Sequence, residues 1–131
     1  MIESSTPIRI AIAEDHHILR QGLAELIRSY PEFDMVFDAE NGEEVLEKMQ
    51  ENPIDVLILD LNMPKMDGWE FLEEYREMNV QRQRAKVILL TTSENPDDIE
   101  KAKNYPEIQE YCNKPLTKEI IQKLMSKYYP E

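Results

Sequence analysis

Three short apolar runs constrain this chain more than any other feature. They are Ile8-Arg9-Ile10-Ala11-Ile12-Ala13, Asp55-Val56-Leu57-Ile58-Leu59-Asp60 and Lys86-Val87-Ile88-Leu89-Leu90-Thr91. The second and third are nearly continuous in apolar residues, the pattern of strands covered on both faces. Phe33 to Ala39 and Ile108 to Cys112 are weaker candidates of the same kind. Between the runs the apolar period lengthens to three and four. Leu19, Leu23, Leu26, Ile27 and Tyr30 form one helical stripe, closed by Pro31. Val45, Leu46 and Met49 form a second, after an Asn41-Gly42 turn and before Pro53. Phe71, Leu72, Tyr75 and Met78 form a third, after Asp67-Gly68. Asn95 reads as an N-cap, followed by a first-turn proline, Pro96, and the acids Asp97 and Asp98. Thr117 caps a last helix carrying Ile120, Ile121, Leu124, Met125 and Tyr128. Strands thus start about every 20 to 30 residues, room for one crossover helix each. The pattern predicts a (βα)5 protein, α/β in class, with a doubly wound five-stranded parallel sheet.

With 131 residues there is room for one such domain and not for two ordinary ones. The 27 acids against 15 bases leave a net charge of -12, which repels a phosphate backbone and an anionic bilayer alike. Direct nucleic-acid and membrane binding are therefore not expected. Cys112 is the only cysteine, so there is no internal disulfide, which fits a reducing, cytoplasmic setting. The leader 1–7 has no basic or long apolar stretch of the signal-peptide kind.

In an open parallel sheet, ligands bind beyond the carboxyl ends of the strands. Glu14 and Asp15 follow the first run, Asp60 ends the third strand, Thr91 ends the fourth, and Lys114-Pro115 follow the fifth. Three carboxylates, a hydroxyl and an ammonium are thereby expected on one edge. Carboxylates at close range repel unless a cation joins them, and an oxygen-only set selects a hard divalent ion such as Mg²⁺. Lys114 adds a point charge suited to a phosphate oxygen, and Thr91 a hydroxyl donor. The set reads as a site that stabilises a transferring phosphoryl group beside a carboxylate placed to receive it.

These residues resemble a known family, the receiver domains of two-component response regulators. The marks are Ala13-Glu14-Asp15-His16, the DxxMPxMDG segment Asp60 to Gly68, Leu90-Thr91-Thr92, and Lys114-Pro115-Leu116-Thr117. The resemblance runs over about residues 8 to 128 and implies a flavodoxin/CheY-like fold with strand order 2-1-3-4-5. The receiver domain is placed at 8–129. By the same resemblance Asp60 is the phosphoacceptor. Mg²⁺ is held by Glu14, Asp15, Asp60 and the backbone carbonyl of Asn62; Lys114 pairs with the phosphoryl group, and its bond to Pro115 is cis. Thr91 and Tyr111 form the switch pair that biases the face of the fourth helix, fifth strand and fifth helix. The phosphoryl donor is a histidine kinase or a histidine phosphotransfer protein, and the domain is a signalling phosphoacceptor rather than an enzyme acting on a separate substrate.

The sequence departs from the family pattern in places. Glu14 stands where Asp is commoner, Thr92 where a smaller residue is usual, and Lys103 to Glu107 lacks the usual Gly-Ala turn. Asn62 and Ser93 occupy positions that tune phosphoryl lifetime. The start resembles receivers of LuxR-type DNA-binding regulators, whereas later residues resemble stand-alone receivers. The length leads to the expectation of one receiver with no room for an effector, the alternative being a receiver cut from a hybrid kinase or DNA-binding regulator. A haloacid-dehalogenase-type phosphohydrolase would need an acid at the Asn62 position, and a flavodoxin-like cofactor module a Gly/Ser/Thr-rich loop after the first strand. A constitutive adaptor on the same fold would have no use for the intact constellation. His16 and His17, adjacent on one helical turn, are expected to point apart in structural or solvated roles. Trp69 and Phe71 read as packing residues, and Cys112 as inert. The basic stretch Asn79 to Lys86, with Arg82 and Arg84, reads as a solvated loop.

Overall fold

The computed structural model describes residues 7–77, 85–91, 96–106, 108–113 and 117–128. Five strands, β1 (Ile8–Ala13), β2 (Phe33–Ala39), β3 (Val56–Asp60), β4 (Lys86–Thr91) and β5 (Ile108–Asn113), alternate with five helices. These are α1 (His17–Arg28), α2 (Gly42–Met49), α3 (Gly68–Arg76), α4 (Pro96–Ala102) and α5 (Lys118–Tyr128). All strand pairings are parallel, in the order β2-β1-β3-β4-β5. The chain direction across the sheet reverses between β1 and β3, and these two strands lie side by side.

Period-two alternation divides the central strands between two cores. Ile10, Ile12, Val56, Ile58, Ile88 and Leu90 face α1 and α5, where they meet Ala24, Ile27 and Ile121. Ala11, Ala13, Leu57, Leu59, Val87 and Leu89 face the other way and meet Val45 of α2, Phe71, Leu72 and Tyr75 of α3, and Ala102 of α4. Every residue of β3 is buried, which accounts for its unbroken apolar run.

Local chemistry sets the helix starts. Asn41 is not the first half of a free turn, as the Asn-Gly pair suggests, but the N-cap of α2: its side chain accepts from Glu44 N at 2.9 Å. Asp67 caps α3 through a reciprocal box with Glu70. Thr117 Oγ1 accepts from Ile120 N at 3.3 Å at the head of α5. Pro96 opens α4, where the missing N–H costs nothing, while Asn95 lies outside the described residues.

The stripe read on α1 holds at Leu23, Leu26, Ile27 and Tyr30 but is rotated at its start, where Leu19 turns outward. Leu19 is 46% exposed and Ile18 81% exposed, whereas Arg20, Ala24 and Ile27 are the buried residues. Leu23 and Leu26 pack at the margin of the α1–α5 core. The rotation brings Arg20 inward, for a reason found in the site. On the third stripe Phe71, Leu72 and Tyr75 are buried, and Met78 lies outside the described residues. Trp69 packs half-buried against Tyr105, ring centroids 5.5 Å apart, with the Lys101 ammonium 4.7 Å from its ring. Tyr105 stands where the Gly-Ala turn is missing. Its hydroxyl donates to Glu73 Oε2 at 2.5 Å and its ring carries the Arg76 guanidinium at 4.3 Å, tying the end of α4 to α3.

Candidate functional site

The register of the two central strands brings the acids together. Ala13 of β1 pairs with Leu59 of β3, so Glu14 and Asp60, the next residue on each strand, emerge beside one another at the carboxyl edge. Glu14 is 1% exposed and Asp60 3% exposed. Asp15 is half-buried at the mouth of the same recess, its side chain 29% exposed. One ligand atom each from Glu14, Asp15, His16 and Asp60 can be chosen so that all four lie within 4.8 Å of one another. Unit charges about 4 Å apart repel by about 4 kcal/mol at an effective dielectric near 20, a repulsion that a bound cation or a shared proton relieves. Asp15 Oδ1 is inaccessible to solvent and accepts no hydrogen bond among the described residues. Its ion-pair neighbour is His16 Nδ1 at 3.3 Å. Oxygen donors in this number, one of them aimed inward without a hydrogen-bond donor, fit a hard divalent ion.

The β3–α3 loop is shaped to leave the Asp60 carboxylate in place. Asn62 N–H approaches Asp60 Oδ1 at 3.5 Å. Further along, Met66 N–H donates to Pro64 O at 2.6 Å, closing a three-residue turn with Lys65 at φ 64°. That is the sterically strained form of so short a turn, held here because both ends are tied down. Met66 O in turn accepts from Gly42 N at 2.8 Å, and Gly68 N donates to Leu61 O at 2.9 Å. A Cβ on Gly68 would lie 2.9 Å from Asp60 O and 3.0 Å from Leu61 Cα. Gly68 therefore lets the start of α3 rest directly on the backbone of Asp60.

Two groups of the site escaped sequence reasoning. Arg20 is 8% exposed; its Nη1 donates to the Glu14 carbonyl at 2.9 Å, and it lies 3.8 Å from both Asp38 Oδ1 and Glu40 Oε1. The signal was available: an arginine in the first turn of a helix opposes the helix dipole, and so calls for anionic partners. His16 and His17 do part, His17 Nδ1 meeting Arg20 Nη2 at 3.2 Å. His16, however, turns toward the acids. Its backbone N–H donates to Glu14 Oε2 at 3.1 Å, and its ring Nδ1 lies 2.9 Å from the same oxygen.

Of the remaining expected residues, Thr91 ends β4 opposite Asn113, one position beyond the Asp60–Leu90 pair. Its side chain lies outside the described residues, as do Lys114, Pro115, Thr92 and Ser93. Tyr111 pairs with Leu89 in mid-strand and packs half-buried against the α2–α4 core, apart from the acid cluster. Cys112 is half-buried on the α1–α5 face; burial and the Glu110 charge raise its thiol pKa above the ordinary value, only partly opposed by Lys123.

A doubly wound sheet with clustered carboxylates at its order reversal defines an α/β protein with an acidic recess at the carboxyl edge, the edge where such sheets take their ligands. The comparisons narrow this class to a family. The model of the response regulator receiver domain matches residues 10–126, and the chain belongs to that family. It is thus a receiver domain of two-component response regulators. It is similar to the nitrate/nitrite response regulator protein NarL of Escherichia coli (strain K12), with 32% identity over 98 residues. That match covers 75% of this chain and 44% of NarL, so the chain spans less than half of that relative's length. A solved LuxR-family DNA-binding response regulator from Staphylococcus aureus superposes with a TM-score of 0.80 at 32% identity, covering 92% of this chain and 97% of that one. A two-component response regulator from Cytophaga hutchinsonii superposes at 0.82 with 23% identity, over 97% and 100% of the two chains, a likeness of fold. No helix among the described residues is long and apolar enough to cross a membrane.

Proposed function

We propose that Asp60 accepts a phosphoryl group from a phosphohistidine on a histidine kinase or phosphotransfer protein. The observation that carries this reading is the burial of Asp60 at the end of β3 within reach of Glu14 and Asp15. A carboxylate oxygen of Asp60 attacks phosphorus, the phosphorus–nitrogen bond of the donor breaks, and its electron pair returns to the donor imidazole. Glu14, Asp15, Asp60 and the Asn62 carbonyl would hold Mg²⁺, which when bound neutralises the oxygens of the transferring group. Glu14 and Asp15 supply the charge that recruits the ion, and Arg20 fixes the Glu14 backbone from behind. Lys114 is assigned to a second phosphoryl oxygen and Thr91 to a third.

Phosphoryl transfer adds charge and acceptor oxygens at the strand ends. In the proposed switch, the Thr91 hydroxyl is drawn toward them and the Tyr111 ring moves into the space it leaves. The face of α4, β5 and α5 then presents a different surface to a protein partner. The half-buried position of Tyr111 on β5, next to the strand that ends in Thr91, supports this pairing.

Incubation with Mg²⁺ and a small acyl phosphate, followed by intact mass measurement, tests the proposal. One phosphoryl mass is gained by the protein and not by Asp60→Asn. Absence of the gain, or an equal gain in Asp60→Asn, sinks it.

A second reading has this receiver as the input portion of a longer DNA-binding regulator. The similarity to the LuxR-family DNA-binding regulator from Staphylococcus aureus and the 44% coverage of NarL favour it. An immunoblot of the source cells decides: a band at 15.5 kDa excludes this reading, and a heavier one supports it.

A further inference from the structure

We propose that His16 is a nitrogen ligand of the same metal position, and that it tilts the site toward borderline divalent ions such as Co²⁺ relative to Mg²⁺. The inference rests on Glu14, Asp15 and Asp60 being the metal cluster, and concerns what this chain adds to it. His16 Nδ1 lies 2.9 Å from Glu14 Oε2 and 3.3 Å from Asp15 Oδ1, and it belongs to the group whose ligand atoms fall within 4.8 Å of one another. Around an ion bound at about 2.1 Å, adjacent octahedral ligands stand about 3.0 Å apart and opposite ones about 4.2 Å. The two spacings from His16 Nδ1 lie near the adjacent-ligand distance.

The backbone prepares His16 for this role. It occupies the N-cap position of α1 with φ -77° and ψ 112°, yet its side chain makes no capping hydrogen bond. The ring is directed at the acids instead of at the helix. Its backbone N–H also donates to Glu14 Oε2 at 3.1 Å, so the same residue that offers the nitrogen holds one carboxylate in orientation. His16 is 65% exposed and stands at the mouth of the recess, where a hydrated ion would otherwise keep a water.

The chemistry follows from ligand type. Mg²⁺ favours oxygen, whereas imidazole suits first-row transition ions, whose affinities rise from Mn²⁺ through Co²⁺. Loss of the imidazole should therefore weaken Co²⁺ binding far more than Mg²⁺ binding.

Calorimetric titration of the full chain with MgCl₂ and with CoCl₂ tests this. In His16→Gln the preference for Co²⁺ over Mg²⁺ falls by roughly tenfold or more, the scale expected for loss of a group at a metal. In His17→Gln, a neighbouring imidazole that faces Arg20, the preference is unchanged. The Co²⁺-loaded protein should also show paramagnetically shifted imidazole proton resonances that are absent from His16→Gln. Asp60→Asn separates the two ideas. If it leaves binding of both ions intact, the carboxylate cluster is not the metal site and the inference falls with that reading. If it abolishes binding while His16→Gln keeps the wild-type ratio and the shifted resonances, the cluster stands and the role of His16 is overturned.

Discussion

Gly68→Ala offers a direct test of how the start of α3 is seated on the strand that ends in Asp60. Gly68 is the first residue of α3 and no glycine among the described residues has a positive φ, so backbone conformation does not oppose alanine there. Space does. The added Cβ would stand 2.9 Å from Asp60 O, 3.0 Å from Leu61 Cα and 3.2 Å from Leu61 Cδ2. The two nearest atoms are backbone and cannot swing aside, so the helix start must back away by a few tenths of an ångström. Overpacking of this kind costs about 1–3 kcal/mol. Alanine returns up to about 1 kcal/mol of helix propensity, less at a first helical position, leaving a net loss of roughly 0.5–2 kcal/mol. For a domain of this size that is a fall of about 2–6 °C in Tm.

The displaced atoms include the carbonyl of Asp60 itself, and a misplacement of about 1 Å costs roughly 100-fold in rate. A shift of a few tenths should slow phosphoryl uptake by about 3- to 10-fold. Gly22→Ala is the internal control. It lies within α1 with nothing within 4 Å of the added Cβ, so it should stabilise by about 0.5–1 kcal/mol. Urea unfolding followed by circular dichroism and acyl-phosphate uptake by mass measure both effects. A Gly68→Ala protein that gains stability as Gly22→Ala does, or that takes up phosphoryl at the wild-type rate, would show that the start of α3 is not seated on the Asp60 backbone.

Other perturbations probe the supports of the site. Arg20→Met keeps the bulk but removes the charge-assisted bond to Glu14 O, and should cost about 1–3 kcal/mol in urea and weaken Mg²⁺ binding in calorimetry. The 3.8 Å pairs of Arg20 with Asp38 and Glu40 add little, because those carboxylates are exposed. Tyr105→Ala should destabilise by about 3–5 kcal/mol and change the emission of Trp69, whose ring packs against it at a tilt; unchanged emission would show that the clamp between α3 and α4 is not formed in solution. Burial works to raise the Asp55 carboxyl, but side-chain and backbone hydrogen bonds from Arg9, with the charges of Arg9 and Lys86, outweigh it and hold the pKa below the ordinary value. Since the folded-state pKa is the lower one, this contribution is present above the ordinary carboxylate range and is lost as pH falls through the lowered value. Asp55→Asn should therefore flatten the acid side of the stability profile measured by urea titration, and a profile that keeps its wild-type slope would count against the pairing.

Much of the fold is legible in the chain because burial on two faces leaves a one-dimensional trace. Val56 to Leu59 must be apolar throughout if helices cover both sides of β3, and it is. The cap residue Thr117 is legible too, since it acts within three residues of itself. The α1 stripe was misjudged at Leu19 for the converse reason. Helical period alone does not say which of several overlapping faces turns inward, and the bond from Arg20 Nη1 to the Glu14 carbonyl holds Arg20 there.

What the amino-acid order determined by itself was the kind of residue arriving at each strand end: Glu14 and Asp15, Asp60, Thr91 and Lys114. Strand ends are local events, written in runs of apolar residues and the polar residue that stops them. Tertiary structure alone decided how the acids face one another. The Ala13–Leu59 register sets Glu14 beside Asp60, the close seating of Gly68 holds that strand end, and the backbone at His16 turns its imidazole back onto Glu14 and Asp15. The physical reason is range. Apolar runs and caps are written in residues close in sequence, whereas charge acts through space, and only the folded sheet brings Glu14 and Asp60 within reach of one cation.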